Sequence, residues 1–100
     1  MITISIEDMQ KNASHAEALL KSLANSHRLM ILCHLVKGEM SVGELEQKVG
    51  LSQSSLSQHL AKLREQKIVS YRKTGTTVWY RVDDKHALQM LETLHSIYCA

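Results

Sequence analysis

"SVGELEQKVGLSQSSLSQHLAKLRE", residues 41–65, is the stretch on which the fold turns. It reads as two helices with a break between them. Ser41 and Glu44 have the spacing of a capping box, in which the hydroxyl accepts a backbone N–H three residues on and the carboxylate reaches back. Val42, Leu45 and Val49 form an apolar stripe, and Gly50 fits the position just past a helix end. Ser52 then caps a second helix of about fourteen residues, whose core stripe is Leu56, Leu60 and Leu63. Only "GLS" separates the two, the connection length of a helix–turn–helix.

Upstream, Met9, Ala13, Ala16, Leu20 and Leu23 recur at helical steps from Glu7 to Leu23. "LANSHR" breaks that pattern, with Asn25 or Ser26 as the next cap. Leu29, Leu32, Cys33 and Val36 step along a further helix that stops at "VKGE". On this reading Cys33 is a buried core residue, as cysteine commonly is. Downstream of Lys67 the period changes from 3.6 to 2. "IVSYRK" and "TVWYRV" are strands joined through Thr74, Gly75 and Thr76. Asp83 or Asp84 caps a last helix with two apolar rows: Leu88, Leu91, His95 and Tyr98, beside Ala87, Met90, Leu94 and Ile97. Two rows exceed what one packed face needs, so this helix is expected to cover a second side on a partner subunit. The fold class is mainly α with a small β-hairpin. It is a single winged helix–turn–helix domain over residues 1–100, with the helix–turn–helix at about 41–66 and the wing at about 68–82.

Charge sharpens the picture. The formal net charge is only +2. Residues 62–81, however, carry Lys62, Arg64, Lys67, Arg72, Lys73 and Arg81 against Glu65 alone, while residues 1–50 nearly cancel. A basic end beside a neutral one points to a polyanion. Opposite the leucine stripe, the second helix of the pair carries Gln53 at its start, then Ser54, Ser57 and Gln58, with His59 following. These are small hydrogen-bonding groups suited to base edges in a major groove. Lys62, Arg64, Arg72 and Lys73 are placed for phosphate contacts, and Thr74, Gly75 and Thr76 form a wing tip that can approach the backbone or minor groove.

No apolar run reaches the roughly 18 residues of a membrane span, and "MITISIEDM" lacks a basic, hydrophobic leader, so a cytoplasmic protein is expected. The two cysteines, Cys33 and Cys99, are too far apart for a CxxC or zinc-knuckle motif. A thiol enzyme is excluded by the absence of any CxxC, paired carboxylates or glycine-rich phosphate loop.

The segments "LANSHRLMILCHL" and "MSVGELEQKVGLSQSSLSQHLAKLREQKIVSYRKTGTTVWYRV" resemble the ArsR family of bacterial repressors over nearly the whole chain. The resemblance implies a homodimer built through the first and last helices, bound to an inverted-repeat operator in double-stranded DNA and released by an inducer. Metal-sensing members carry a CxC-type motif where this chain reads "MSVGEL". Others hold zinc on the last helix. Here Asp84-x-His86 supplies the first half of such a site and the second half is missing. Zinc needs three or four ligands, so no metal and no cofactor is expected. The sulfide-responsive branch, which includes BigR, SqrR and HlyU-like proteins, is similar in pairing a cysteine in "ILC" with one ending "LHSIYC", here Cys33 and Cys99. That likeness implies that reactive sulfur species link the two thiols and release DNA. His95, one helical turn before Cys99, would assist Cys99 as the first nucleophile, with Cys33 resolving. Two alternatives stay open: the same repressor answering a metal or arsenical, and a winged helix that contacts protein rather than DNA.

Overall fold

The computed structural model of the chain describes residues 2–99. Its elements run α1 (Ile6–Leu23), α2 (Ser26–Val36), β1 (Met40–Ser41), α3 (Val42–Val49), α4 (Gln53–Glu65), β2 (Val69–Thr74), β3 (Thr77–Val82) and α5 (Lys85–Cys99).

Each helix start is held by a side chain close to it in sequence. The Ser5 hydroxyl accepts the Asp8 N–H, and Asn25 Oδ1 accepts the His27 and Arg28 N–H groups at 2.9 and 3.1 Å. The Ser41–Glu44 box is complete in both directions. Ser52 accepts from Ser55 and Asp84 from Ala87. These bonds satisfy N–H groups that a helix leaves without internal partners. The break between α3 and α4 is set by Gly50, whose φ of 68° is the left-handed conformation that glycine adopts without a Cβ clash.

Leu56, Leu60 and Leu63 of α4 are all buried, as the stripe requires. They join Leu45 of α3 and Ile31, Leu32 and Leu35 of α2 in one core. Here the expected α2 stripe is corrected. Ile31, Leu32 and Leu35 are buried, Leu29 is half-buried, and Cys33 and Val36 are exposed. "LMILCHLV" is apolar on nearly every side, so its period leaves the helix's rotation open. α3, α4 and β3, which pack on α2, select the buried face.

The sheet has three antiparallel strands in the order β1-β3-β2. The hairpin pairs β2 with β3 from Val69↔Val82 to Thr74↔Thr77; Thr74, expected in the connection, instead ends β2, and the turn is Gly75, at φ +63°, and Thr76. The additional strand, β1, pairs Met40 and Ser41 with Tyr80 and Trp79. Two residues are too few to show an alternating pattern, so the sequence carries no signal for it.

α4 ends in a Schellman motif. The Ile68 N–H donates to Leu63 O and the Lys67 N–H to Arg64 O, while Ile68 and Leu63 are both buried. Lys67 occupies the left-handed position with φ 60°. That cap turns the chain directly from α4 into the wing.

α1 and α5 keep large apolar side chains uncovered. Ile6, Met9 and Leu20 of α1 and Ile97 and Tyr98 of α5 are exposed. The radius of gyration is 15.0 Å, against roughly 13 Å for a compact chain of this length. Among the described residues no helix is long and apolar enough to cross a membrane.

A left-handed conformation costs a side-chain-bearing residue about 1–2 kcal/mol that glycine does not incur. Lys67→Gly is therefore expected to raise unfolding stability by about 1 kcal/mol, read as a higher urea midpoint. An unchanged or lower midpoint would contradict this account of the α4 terminus.

Candidate nucleic-acid interface

The three buried leucines turn the opposite side of α4 outward. Gln53, Ser54, Ser57 and Gln58 are exposed there. Ser54 lies 3.4 Å from the Ser52 hydroxyl. Among the described residues the side chains of Gln53, Ser57 and Gln58 hold no protein hydrogen-bond partner, which leaves their donors and acceptors available to an incoming ligand. An open groove runs from this face to the wing, lined by Ser41, Gly43, Gln53, Ser57, Arg64 and Thr76. Lys73, Thr74, Gly75 and Thr76 are exposed at the hairpin tip.

His59 does not share this open face. It is half-buried and turned toward the start of α2. Its Nδ1 lies 3.4 Å from Arg28 Nη1, and its ring centroid is 5.7 Å from that of His27. Burial is the main reason its pKa lies below the usual 6.5, and the charges of Arg28, His27 and Lys62 add to the effect.

The expected phosphate-binding cations also divide. Lys62 and Lys73 are exposed. Arg64 is held between α4 and the sheet: it donates to the Tyr80 hydroxyl at 3.0 Å and lies 5.3 Å from the centre of the Tyr71 ring. Arg72 is clamped. Its Nε and Nη2 donate to the two carboxylate oxygens of Glu39 at 2.9 and 2.7 Å, and Nη1 donates to Thr74 Oγ1. Its guanidinium also lies 5.6 Å from the centre of the Trp79 ring. The hydrogen bond from Arg72 holds the Glu39 carboxyl below the ordinary carboxylate range. Arg72 is thus a wing brace in this state and not a free cation. Sequence reasoning missed Glu39 because it stands 33 positions from its partner.

Both cysteines are free thiols, and both are exposed. This overturns the expectation that Cys33 is a core residue; the rotation of α2 puts it on the outer side. Cys33 lies on α2 and Cys99 ends α5, and these helices pack together. His95 is exposed on α5, four residues before Cys99. Asp84 and His86 border a groove that also receives His15 of α1. Asp84, however, is engaged as the cap of α5. Among the described residues no group of three or more His, Cys, Asp or Glu side chains is placed to hold a metal ion.

A second residue that sequence reasoning passed over is Arg28. Its Nε donates to Ser22 O at 2.7 Å and its Nη2 to Lys21 O at 3.1 Å. The only local hint was a cation in the first turn of an otherwise apolar helix.

Residues 25–71 match the family model described as "Bacterial regulatory protein, arsR family". The chain is 47% identical over 96 residues to the transcriptional activator HlyU of Vibrio cholerae, covering 96% of this chain and 89% of that protein. The crystal structure of the transcriptional repressor BigR from Xylella fastidiosa superposes with a TM-score of 0.91 at 45% identity, covering 97% of this chain and 99% of that one. The homodimeric winged helix–turn–helix DNA-binding domain Mb0332 of Mycobacterium bovis matches at a TM-score of 0.78 and 25% identity, covering 97% of this chain and 89% of that one.

The displaced pKa of His59 has a consequence for stability. Below about pH 6.5 the unfolded chain takes up this proton before the folded chain does, so stability is lost as pH falls. Between about pH 7.5 and 5.5 the urea midpoint of the natural chain should fall more than that of His59→Asn. Equal falls in both would count against a lowered pKa for the half-buried His59.

Proposed function

The chain belongs to the ArsR family of bacterial regulatory proteins, DNA-binding transcriptional regulators that are not enzymes, and on that premise we propose that it is a dimeric repressor released from its operator by sulfur oxidation of Cys33 and Cys99. The observation that carries the switch is the placement of the two thiols. Both are free and accessible, one on α2 and one at the end of α5, helices that pack on each other.

The DNA half of the proposal follows from α4. Gln53, Ser54, Ser57 and Gln58 enter the major groove, where Gln bonds adenine edges and Ser serves a base or phosphate. Lys62, Lys73 and the tip at Thr74, Gly75 and Thr76 meet the sugar–phosphate backbone and set the register, while Arg64 stays held against Tyr80 and Tyr71. The exposed apolar residues of α1 and α5 are covered by a second copy, in line with the homodimeric M. bovis relative. A dimer places its two reading helices about one DNA turn apart, roughly 34–36 Å, so the site is an inverted repeat. The setting we propose is the cytoplasm, where thiols rest in the reduced state.

The switching chemistry balances with an alkyl persulfide as oxidant. The Cys99 thiolate, with His95 beside it, attacks the outer sulfur; the alkanethiolate leaves, and Cys99 carries a persulfide. The Cys33 thiolate attacks the inner sulfur of that group, hydrosulfide leaves, and a disulfide joins α2 to α5. The two thiols lose two electrons and two protons, and the sulfane sulfur gains the electrons. A covalent tie between these helices changes the dimer geometry and with it the spacing of the reading helices.

The test is operator affinity of the reduced chain before and after treatment with an alkyl persulfide, on a duplex selected by the chain from a random pool. Affinity should fall on the order of tenfold or more, with the Cys33–Cys99 link visible by mass spectrometry and no response from Cys33→Ser. An unchanged affinity, or an equal response from Cys33→Ser, would sink the switch while leaving DNA binding intact.

The Arg72 clamp yields a separate expectation. Glu39→Gln weakens the fork and frees a cation at the wing. Affinity for a nonspecific duplex should rise, and the slope of log affinity against log salt should steepen by about one. An unaltered slope would mean that Arg72 stays off the phosphates.

A further inference from the structure

Arg28 joins three helices. The carbonyls of the last turn of α1, Leu20 to Leu23, need donors at or beyond the helix end. The Ala24 N–H takes Leu20 O, and the Asn25 N–H takes Leu23 O. The remaining two, Lys21 O and Ser22 O, both accept from Arg28. A cation also suits this negative helix end. If Arg28 were only a cap, two of its nitrogens would complete the work. The third, Nη1, points the other way and meets His59 Nδ1 in the middle of α4. His59 sits one residue beyond Gln58 and two beyond Ser57, on the flank of the open reading face.

Resting on the DNA-reading role of α4, we propose that Arg28 is a positioning residue for operator recognition: through His59 it ties the end of α1 to α4 and sets the angle at which the reading face meets the groove. The acceptor must be a neutral imidazole with its lone pair on Nδ1, since an imidazolium offers only donors. Base contacts depend on that angle, because a bidentate bond to a base edge tolerates little misplacement. Backbone contacts made by flexible lysines do not. The tie therefore affects the difference between operator and random DNA, and leaves general attraction to DNA unchanged. It also connects the reading helix to α1, a helix of the proposed dimer surface.

The experiment compares affinity for the selected operator duplex with affinity for a scrambled duplex of equal length and salt. His59→Leu removes the acceptor and leaves the α1 cap untouched. It should lower the operator-to-scrambled ratio about tenfold, with the scrambled affinity held within about twofold. His59→Asn restores an acceptor near the position of Nδ1 and should recover most of the ratio. Arg28→Lys keeps the charge but cannot span both sites, so it should lower the ratio as well. The double variant, Arg28→Lys with His59→Leu, should be no worse than the poorer single variant, because both break the same tie. Additive losses, failure of His59→Asn to recover the ratio, or an equal fall on the scrambled duplex would each overturn the proposal. Failure of the unaltered chain to select any duplex would instead remove the DNA-reading role itself, and this inference with it.

Discussion

The structure depends on the burial of Leu56, Leu60 and Leu63, which are between 0 and 2% exposed. Each leucine removed from water contributes roughly 1.5–3 kcal/mol. Together they fix the rotation of α4 about its own axis. A helix turns 3.6 residues per revolution, so that choice also decides what faces solvent. Gln53, Ser54, Ser57 and Gln58 are outward because the leucines are inward. The Schellman cap at Leu63–Ile68 extends the same constraint, since it sends the chain from the buried stripe into β2 and so places the wing beside the reading face.

The basic region shows how charge is divided between fold and function. Residues 62–81 hold six cations. Arg64 is spent on Tyr80 and Tyr71, Arg72 on Glu39 and Trp79, and Arg81 on Ser70 and Asp83. The arginines, with planar forked donors, brace the wing. The lysines at 62, 67 and 73 remain exposed. Arg72 and Arg81 are paired with Glu39 and Asp83, so the uncommitted positive charge rests on the lysines, suited to phosphates as point charges. The exposed ion pairs add little stability, because water screens them, and their effect is to restrict side-chain geometry.

The thiols show a different division. An apolar helix such as α2 can present several faces to a core, and a single core-facing residue cannot be picked from its period. The tertiary packing put Cys33 outside. A thiol must be reached before it can react, and Cys33 is exposed. That exposure weakens the packing explanation for its presence.

Sequence alone determined the local features. The caps at Asn25, Ser41, Ser52 and Asp84 link residues two or three positions apart, and the α4 stripe repeats every three or four. Such patterns are legible because both partners lie within one helical turn. Tertiary structure decided the rest: the buried face of α2, the short strand β1, the capture of Arg72 by Glu39 and the turn of His59 toward Arg28. The last two join residues 33 and 31 positions apart. No periodicity encodes such pairs, because they arise only when separate elements share a core and the side chains at its edge meet.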